Sequence, residues 1–182
     1  MNKRTREIVL AAILTAFSIL ITYSPVKLVL PAFTLTLASH VATLLAMLIS
    51  PWVAVMTIIG SCLGFFMTIP APNSIIVIAR AASHLVFALL GIKMISSGKL
   101  NIVLIVLITG VLHALCEGLA VFALTPIILP GEAAAAAAAI AVVGTFLHHL
   151  IDCAICAPIA LALSRAKILH IPGSLIRGNK NA

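Results

Sequence analysis

Residues 100–124 read LNIVLIVLITGVLHALCEGLAVFAL, and the reading of this stretch decides the fold class. It holds one acidic side chain, Glu117, and no lysine or arginine. As a helix rising about 1.5 Å per residue, it exceeds the roughly 30 Å of a bilayer's hydrocarbon core. The natural solvent of such a segment is lipid.

Five comparable apolar runs accompany it. Toward the amino terminus they cover about 74–95, 51–69, 37–50 and 5–23, and toward the carboxyl terminus about 133–164. Breakers separate them: Ser24-Pro25, Ser50-Pro51, Pro70-Ala71-Pro72-Asn73, Ser96-Ser97-Gly98 and the segment from Pro126 to Glu132. Pro51 suits a first helical turn. The run 5–23 has no small-x-small cleavage site before Pro25 and is read as a span, not a removed leader. The alanines 133–139 suit a helix start and carry no assigned function. The expectation is all-α: one integral membrane domain over 1–182, a bundle of six transmembrane helices.

Composition agrees. Of 182 residues, 63% are hydrophobic and 8% charged, with a mean hydropathy of +1.30. A soluble domain carries roughly 25% charged residues. Too few charges exist here to solvate a globule, but enough to cover the two ends of a bundle. The net charge of +7 does not indicate nucleic acid, because the basic residues lie between apolar runs without interleaved aromatics. Lys3, Arg4, Arg6, Lys93, Lys99, Arg165, Lys167, Arg177 and Lys180 all fall on the side of the termini, which the positive-inside rule makes cytoplasmic. The protein is expected in the bacterial cytoplasmic membrane as a multi-pass protein. Cys62, Cys116, Cys153 and Cys156 lie inside apolar runs and read as packing residues.

Ionisable groups inside spans cost about 2.5–3.5 kcal/mol each at a helix centre, so each is a site candidate. Three runs carry pairs at i, i+4 spacing, on one helix face: Arg80 with His84, His113 with Glu117, and His148 with Asp152, with His149 adjacent. His40 lies early in the run 37–50. Counted from the outer ends of their helices, Arg80, His84, His113 and Glu117 occupy the middle and outer half. Asp152 lies deeper. Lys27 and Asn73 fall in outer loops. Substrate-binding candidates are therefore Lys27, Asn73, Arg80, His84, His113 and Glu117. Arg80 has two available partners, Glu117 or the carboxylate of a substrate forked onto its guanidinium. No metal site is assigned. Ala12/Ala16 and Gly60/Gly64 form small-xxx-small stripes that let helices approach closely. GxxxxGK[ST], HExxH and GxSxG are absent, so no ATP site, and no enzyme activity, is expected in this chain.

The six-run layout, the basic start leading into AAILTA, the segment PVKLVLPAFTLTLASH, the stretch ISPWVAVMTIIGSCLGFF and the RAASH around Arg80 together resemble a substrate-binding (S) component of the energy-coupling factor vitamin transporters. The resemblance covers nearly the whole chain. It implies a small bundle that captures a vitamin near its outer face, with the loop after the first helix covering the site. It implies that Ala12 and Ala16 contact a transmembrane coupling subunit, driven by two cytoplasmic ATPase subunits. ATP is then used by the partners, and this chain needs no cofactor. Within the family the pantothenate and hydroxymethylpyrimidine members look closest, with pyridoxine-type and niacin members as neighbours. Arg80 and Lys27 favour a small anionic vitamin such as pantothenate. The rival readings are a transition-metal transporter subunit, on the strength of six histidines, and an intramembrane enzyme.

Overall fold

The computed structural model describes residues 2–30, 32–172 and 175. Arg177 and Lys180 lie outside the described residues. Among the described residues six α-helices follow one another: α1 (Lys3–Ile21), α2 (Val41–Met47), α3 (Pro51–Thr68), α4 (Asn73–Ser97), α5 (Ile102–Ile128) and α6 (Ala134–Arg165). Between α1 and α2 lie strands β1 (Lys27–Leu30) and β2 (Phe33–Thr36), an antiparallel pair with Lys27 opposite Thr36 and Leu30 opposite Phe33.

Local chemistry sets the helix starts. The side chains of Asn2, Ser50 and Asn101 accept the amides of Thr5, Val53 and Leu104, satisfying donors that a helix start leaves free. Pro51 occupies the first turn of α3 as its ring requires. Gly98 ends α4 at φ 64°, a left-handed conformation that glycine adopts without strain. Helix α5 continues past Leu124 to Ile128, with Pro126 inside its last turn.

Among the described residues, four helices are long and apolar enough to cross a membrane: α3, α4, α5 and α6. The run 37–50 departs from a regular span. Its helix α2 has 7 residues, about 10 Å of rise, and an all-α fold acquires a small hairpin. The cause is a side chain from the far end of the sequence. Asp152 on α6 accepts the backbone N–H of Ala38 at 2.9 Å and of His40 at 2.9 Å. Those amides are held out of a helical ladder, Ala38 turns to φ 66°, and the helix begins only at Val41. Irregular backbone at membrane depth is tolerated where protein satisfies its polar groups, and Asp152 does so here.

The direction of the helices follows from what their glycines touch. A Cβ at Gly60 would meet Thr15 and Ser18, and one at Gly64 would meet Thr22. Register therefore rises together on α1 and α3, and the two run parallel. The segment 37–50 must return the chain from the far end of α1 to the near end of α3. The helix pairs α4–α5 and α5–α6 are antiparallel: Arg80 meets Glu117 and Gly91 faces Thr109, while Gly110 faces His149 and Gly118 faces Val142. The start of α1 and the end of α6 thus share one end of the bundle, where the Arg6 guanidinium donates to the carbonyl of Ile168.

Candidate functional site: a buried histidine–carboxylate cluster beneath the hairpin

The three i, i+4 pairs converge into one cluster, and His40 joins them. Arg80, His84, His113, Glu117, His148, His149 and Asp152 are all buried, with His113, His149 and Asp152 at 0% exposure. Glu117 is one centre. Its Oε2 accepts Arg80 Nη2 at 2.6 Å, Arg80 Nε at 3.0 Å and the Thr145 hydroxyl at 2.5 Å. Its Oε1 faces His84 Nε2 at 2.9 Å and His113 Nε2 at 3.3 Å. Asp152 is the other centre, with His40 Nδ1 at 3.0 Å and His148 Nε2 at 3.2 Å. The His40 ring lies between them, edge-on to His84, His113 and His148 at centroid distances of 4.5–4.7 Å.

Arg80 therefore pairs with Glu117. Its third nitrogen, Nη1, is buried with no partner among the described residues, as are Nδ1 of His84 and of His148. These three side chains border one cavity of about 20 Å³, room for a single water. Its other walls include Phe33, Thr36, Ser39, His40 and Phe65.

The hairpin covers this cavity. β1 is exposed along its length, whereas Phe33, Thr34 and Thr36 of β2 are buried. Phe33 is the plug. The Arg80 guanidinium carbon lies 4.6 Å from its ring centroid, a cation–π contact, and the ring fills the hollow left by Gly144. A Cβ at Gly144 would stand 2.6 Å from the ring.

Of the six residues expected at a binding site, Arg80, His84, His113 and Glu117 are brought together. Lys27 is exposed on β1, and Lys27, Asn73 and His113 are absent from the cavity wall, His113 joining the cluster behind it. Sequence reasoning missed Thr145, Ser39 and Phe33 as site residues and kept Asp152 apart from Glu117. Ser39 and Phe33 lie in the segment PVKLVLPAFTLTLASH, one of the stretches that carry the family resemblance. Ala12 and Ala16 are exposed on α1, while Gly60 and Gly64 are consumed by packing against that helix.

No known family model matches the chain. No solved structure matches it either. It is similar to the niacin transporter NiaX of Lactococcus lactis subsp. cremoris (strain MG1363), 35% identical over 127 residues, which is 66% of this chain and 56% of that protein. The matched stretch thus spans a little over half the length of the relative. A transporter relative and four helices able to cross a bilayer agree on the setting, and this chain is a multi-pass protein of the cell membrane.

Proposed function

We propose that this chain is the vitamin-binding S component of an energy-coupling factor importer, and that its vitamin is niacin in its carboxylate form, nicotinate. The observation that carries the reading is Arg80. A guanidinium buried at membrane depth uses two nitrogens on Glu117 and keeps Nη1 bare at the wall of a small cavity. An entering carboxylate supplies the missing acceptor. Aromatic and imidazole rings line the same wall, which suits a small planar ring acid. Niacin is preferred over pantothenate because the relative is named for niacin and because Phe33, His40 and His84 offer ring faces and edges to a flat ligand once the hairpin lifts.

Capture in this reading requires the hairpin to lift Phe33 away from Arg80, since the small cavity holds only a water. The termini are cytoplasmic, on the positive-inside argument, and the segment 37–50 completes six passes. Ala12 and Ala16 meet the transmembrane coupling subunit, whose two ATPase partners consume the ATP. The chain binds and releases its vitamin without chemical conversion.

Calorimetry on the purified chain tests the reading. Nicotinate binds, and nicotinamide, which lacks the charge, binds at least about 10-fold more weakly, the loss of a charge-assisted hydrogen bond of about 1.5–3 kcal/mol. Arg80→Lys weakens nicotinate by a similar factor, because an ammonium cannot reproduce the planar fork. Equal affinity for acid and amide overturns the carboxylate reading. Tight binding of pantothenate with none of nicotinate returns the assignment to the pantothenate members.

A further inference from the structure

The structure assigns a transition-metal site to His40, His84, His113 and Glu117, contrary to the sequence expectation that the chain holds no metal. One ligand atom from each of these residues falls within 4.8 Å of the others, and all four residues are buried. The site shares His40, His84 and Glu117 with the cavity of the vitamin reading, but its argument does not rest on that reading.

The argument turns on where the protons sit. The Thr109 hydroxyl donates to the Ile105 carbonyl at 2.7 Å, the usual bond of a helical threonine. His149 Nε2, 3.2 Å from the same oxygen, must then carry the proton and donate. A neutral His149 has a bare Nδ1, which accepts from His113 Nδ1 at 3.1 Å. His113 thus carries its proton on Nδ1, and its bare Nε2 points at a carboxylate oxygen of Glu117 3.3 Å away. Two acceptors facing each other in a dry interior repel unless a cation lies between them. His40 repeats the pattern: its Nδ1 donates to Asp152, which leaves Nε2 for the cluster.

Ligand geometry agrees with a metal, and outer support does so for two of the three imidazoles, His84 Nδ1 having no partner among the described residues. Ligand atoms on a tetrahedral ion with bonds of about 2.0–2.1 Å stand roughly 3.3 Å apart. His84 Nε2 and His113 Nε2 stand 2.9 and 3.3 Å from Glu117 Oε1. Metal-bound imidazoles donate their second N–H to an outer partner, and here Asp152 backs His40 while His149 backs His113. Arg80 and Thr145 fix Glu117 through its other oxygen. Charge points the same way. With neutral imidazoles, Glu117 and Asp152 against Arg80 leave one uncompensated negative charge in the buried cluster. Three imidazoles and a carboxylate suit a divalent first-row ion of the zinc, cobalt or nickel kind.

The test uses the full chain purified in detergent through an affinity tag free of histidine, stripped with a chelator and titrated with Co2+. Expected are one ion per chain, the visible absorption of four-coordinate Co2+, and its displacement by Zn2+. Asp152→Asn weakens uptake about 10- to 100-fold, as loss of an outer partner does. His113→Gln weakens it further, while His170→Gln, on the exposed carboxyl-terminal side, leaves it unchanged. A folded, stripped wild-type chain that takes up neither ion overturns the site, and so does uptake indifferent to His113→Gln. In the first case a proton on His113 bridges it to Glu117. Nicotinate calorimetry on stripped and loaded protein separates the two proposals: a chain that takes up the ion but ignores nicotinate in both forms retires the vitamin reading and leaves the metal site standing.

Discussion

Two seams hold this bundle together, and they do so by opposite means. The α1–α3 seam is made by shape. Gly60 and Gly64 remove side chains so that Thr15, Ser18 and Thr22 can approach the backbone of α3, and the Ser18 hydroxyl reaches the Thr57 carbonyl at 3.0 Å. The α4–α5–α6 seam is made by charge. Glu117 alone faces Arg80, His84, His113 and Thr145, side chains from all three helices. A seam built on shape has one arrangement, because packed surfaces do not deform continuously. A seam built on balanced charges answers to whatever charge enters it. The site therefore lies in the second seam, and the first serves as its rigid wall.

The largest expected effect breaks the charged seam. Glu117→Ala leaves Arg80 buried without its carboxylate and destabilises the protein by about 3–5 kcal/mol. Arg80→Ala/Glu117→Ala removes both charges and recovers much of the loss. Thermal unfolding in detergent of the two single variants and the double variant measures it. A double variant no more stable than Glu117→Ala would show that the imidazoles, not Arg80, depend on the carboxylate.

A smaller effect is expected at the seam made by shape. Gly60→Ala places a Cβ 2.6 Å from Ser18 Oγ and 2.9 Å from the Thr15 carbonyl oxygen. The hydroxyl can rotate away, but the backbone oxygen cannot. Overpacking of this kind costs about 1–3 kcal/mol. The affinity for nicotinate should change little, because no residue of α1 lines the cavity. A variant of normal stability, or one whose binding falls with its stability intact, erases the distinction between the two seams.

The contrast also explains what could be read in advance. Helical periodicity is local, so the pairs Arg80/His84, His113/Glu117 and His148/Asp152 were visible as single faces of three helices. Meeting of the first two faces was foreseeable, because antiparallel neighbours with short links align their midpoints, whereas depth counting set Asp152 apart from them. The link from Asp152 to Ala38 and His40 was not. It joins residues more than a hundred positions apart, and it acts on backbone amides, which every residue has and no sequence pattern marks. The same link shortens the second helix, so the run 37–50 could look like an ordinary span. Lys27 was placed by its loop and its charge, but strand register decides where a side chain in a hairpin points. Register follows from Phe33 seating against Gly144, again a contact between distant positions.

The smallest expected effect on stability belongs to the stripe that neither seam uses. Ala12 and Ala16 are exposed on α1, on a helix whose Ile8, Val9, Ile13, Phe17 and Leu20 also face outward. Ala11, Leu14 and Ser18 turn inward instead, so the small stripe is left out of the fold's own packing. Ala12→Trp should change stability by no more than about 0.5 kcal/mol, the usual range for exposed substitutions. It should also leave vitamin affinity intact, because the residue is remote from the cavity wall. A helix of a second subunit packing closely against that stripe could not accept an indole there, since close helix approach in lipid depends on small residues. If the proposed function holds, assembly with a coupling subunit and vitamin uptake by cells therefore fall while the isolated chain behaves as wild type. Co-purification of the subunits and uptake assays on Ala12→Trp and Ala16→Trp measure this directly. Full assembly and uptake with a tryptophan at both positions would place the coupling surface elsewhere on the bundle and leave the exposed face of α1 to lipid.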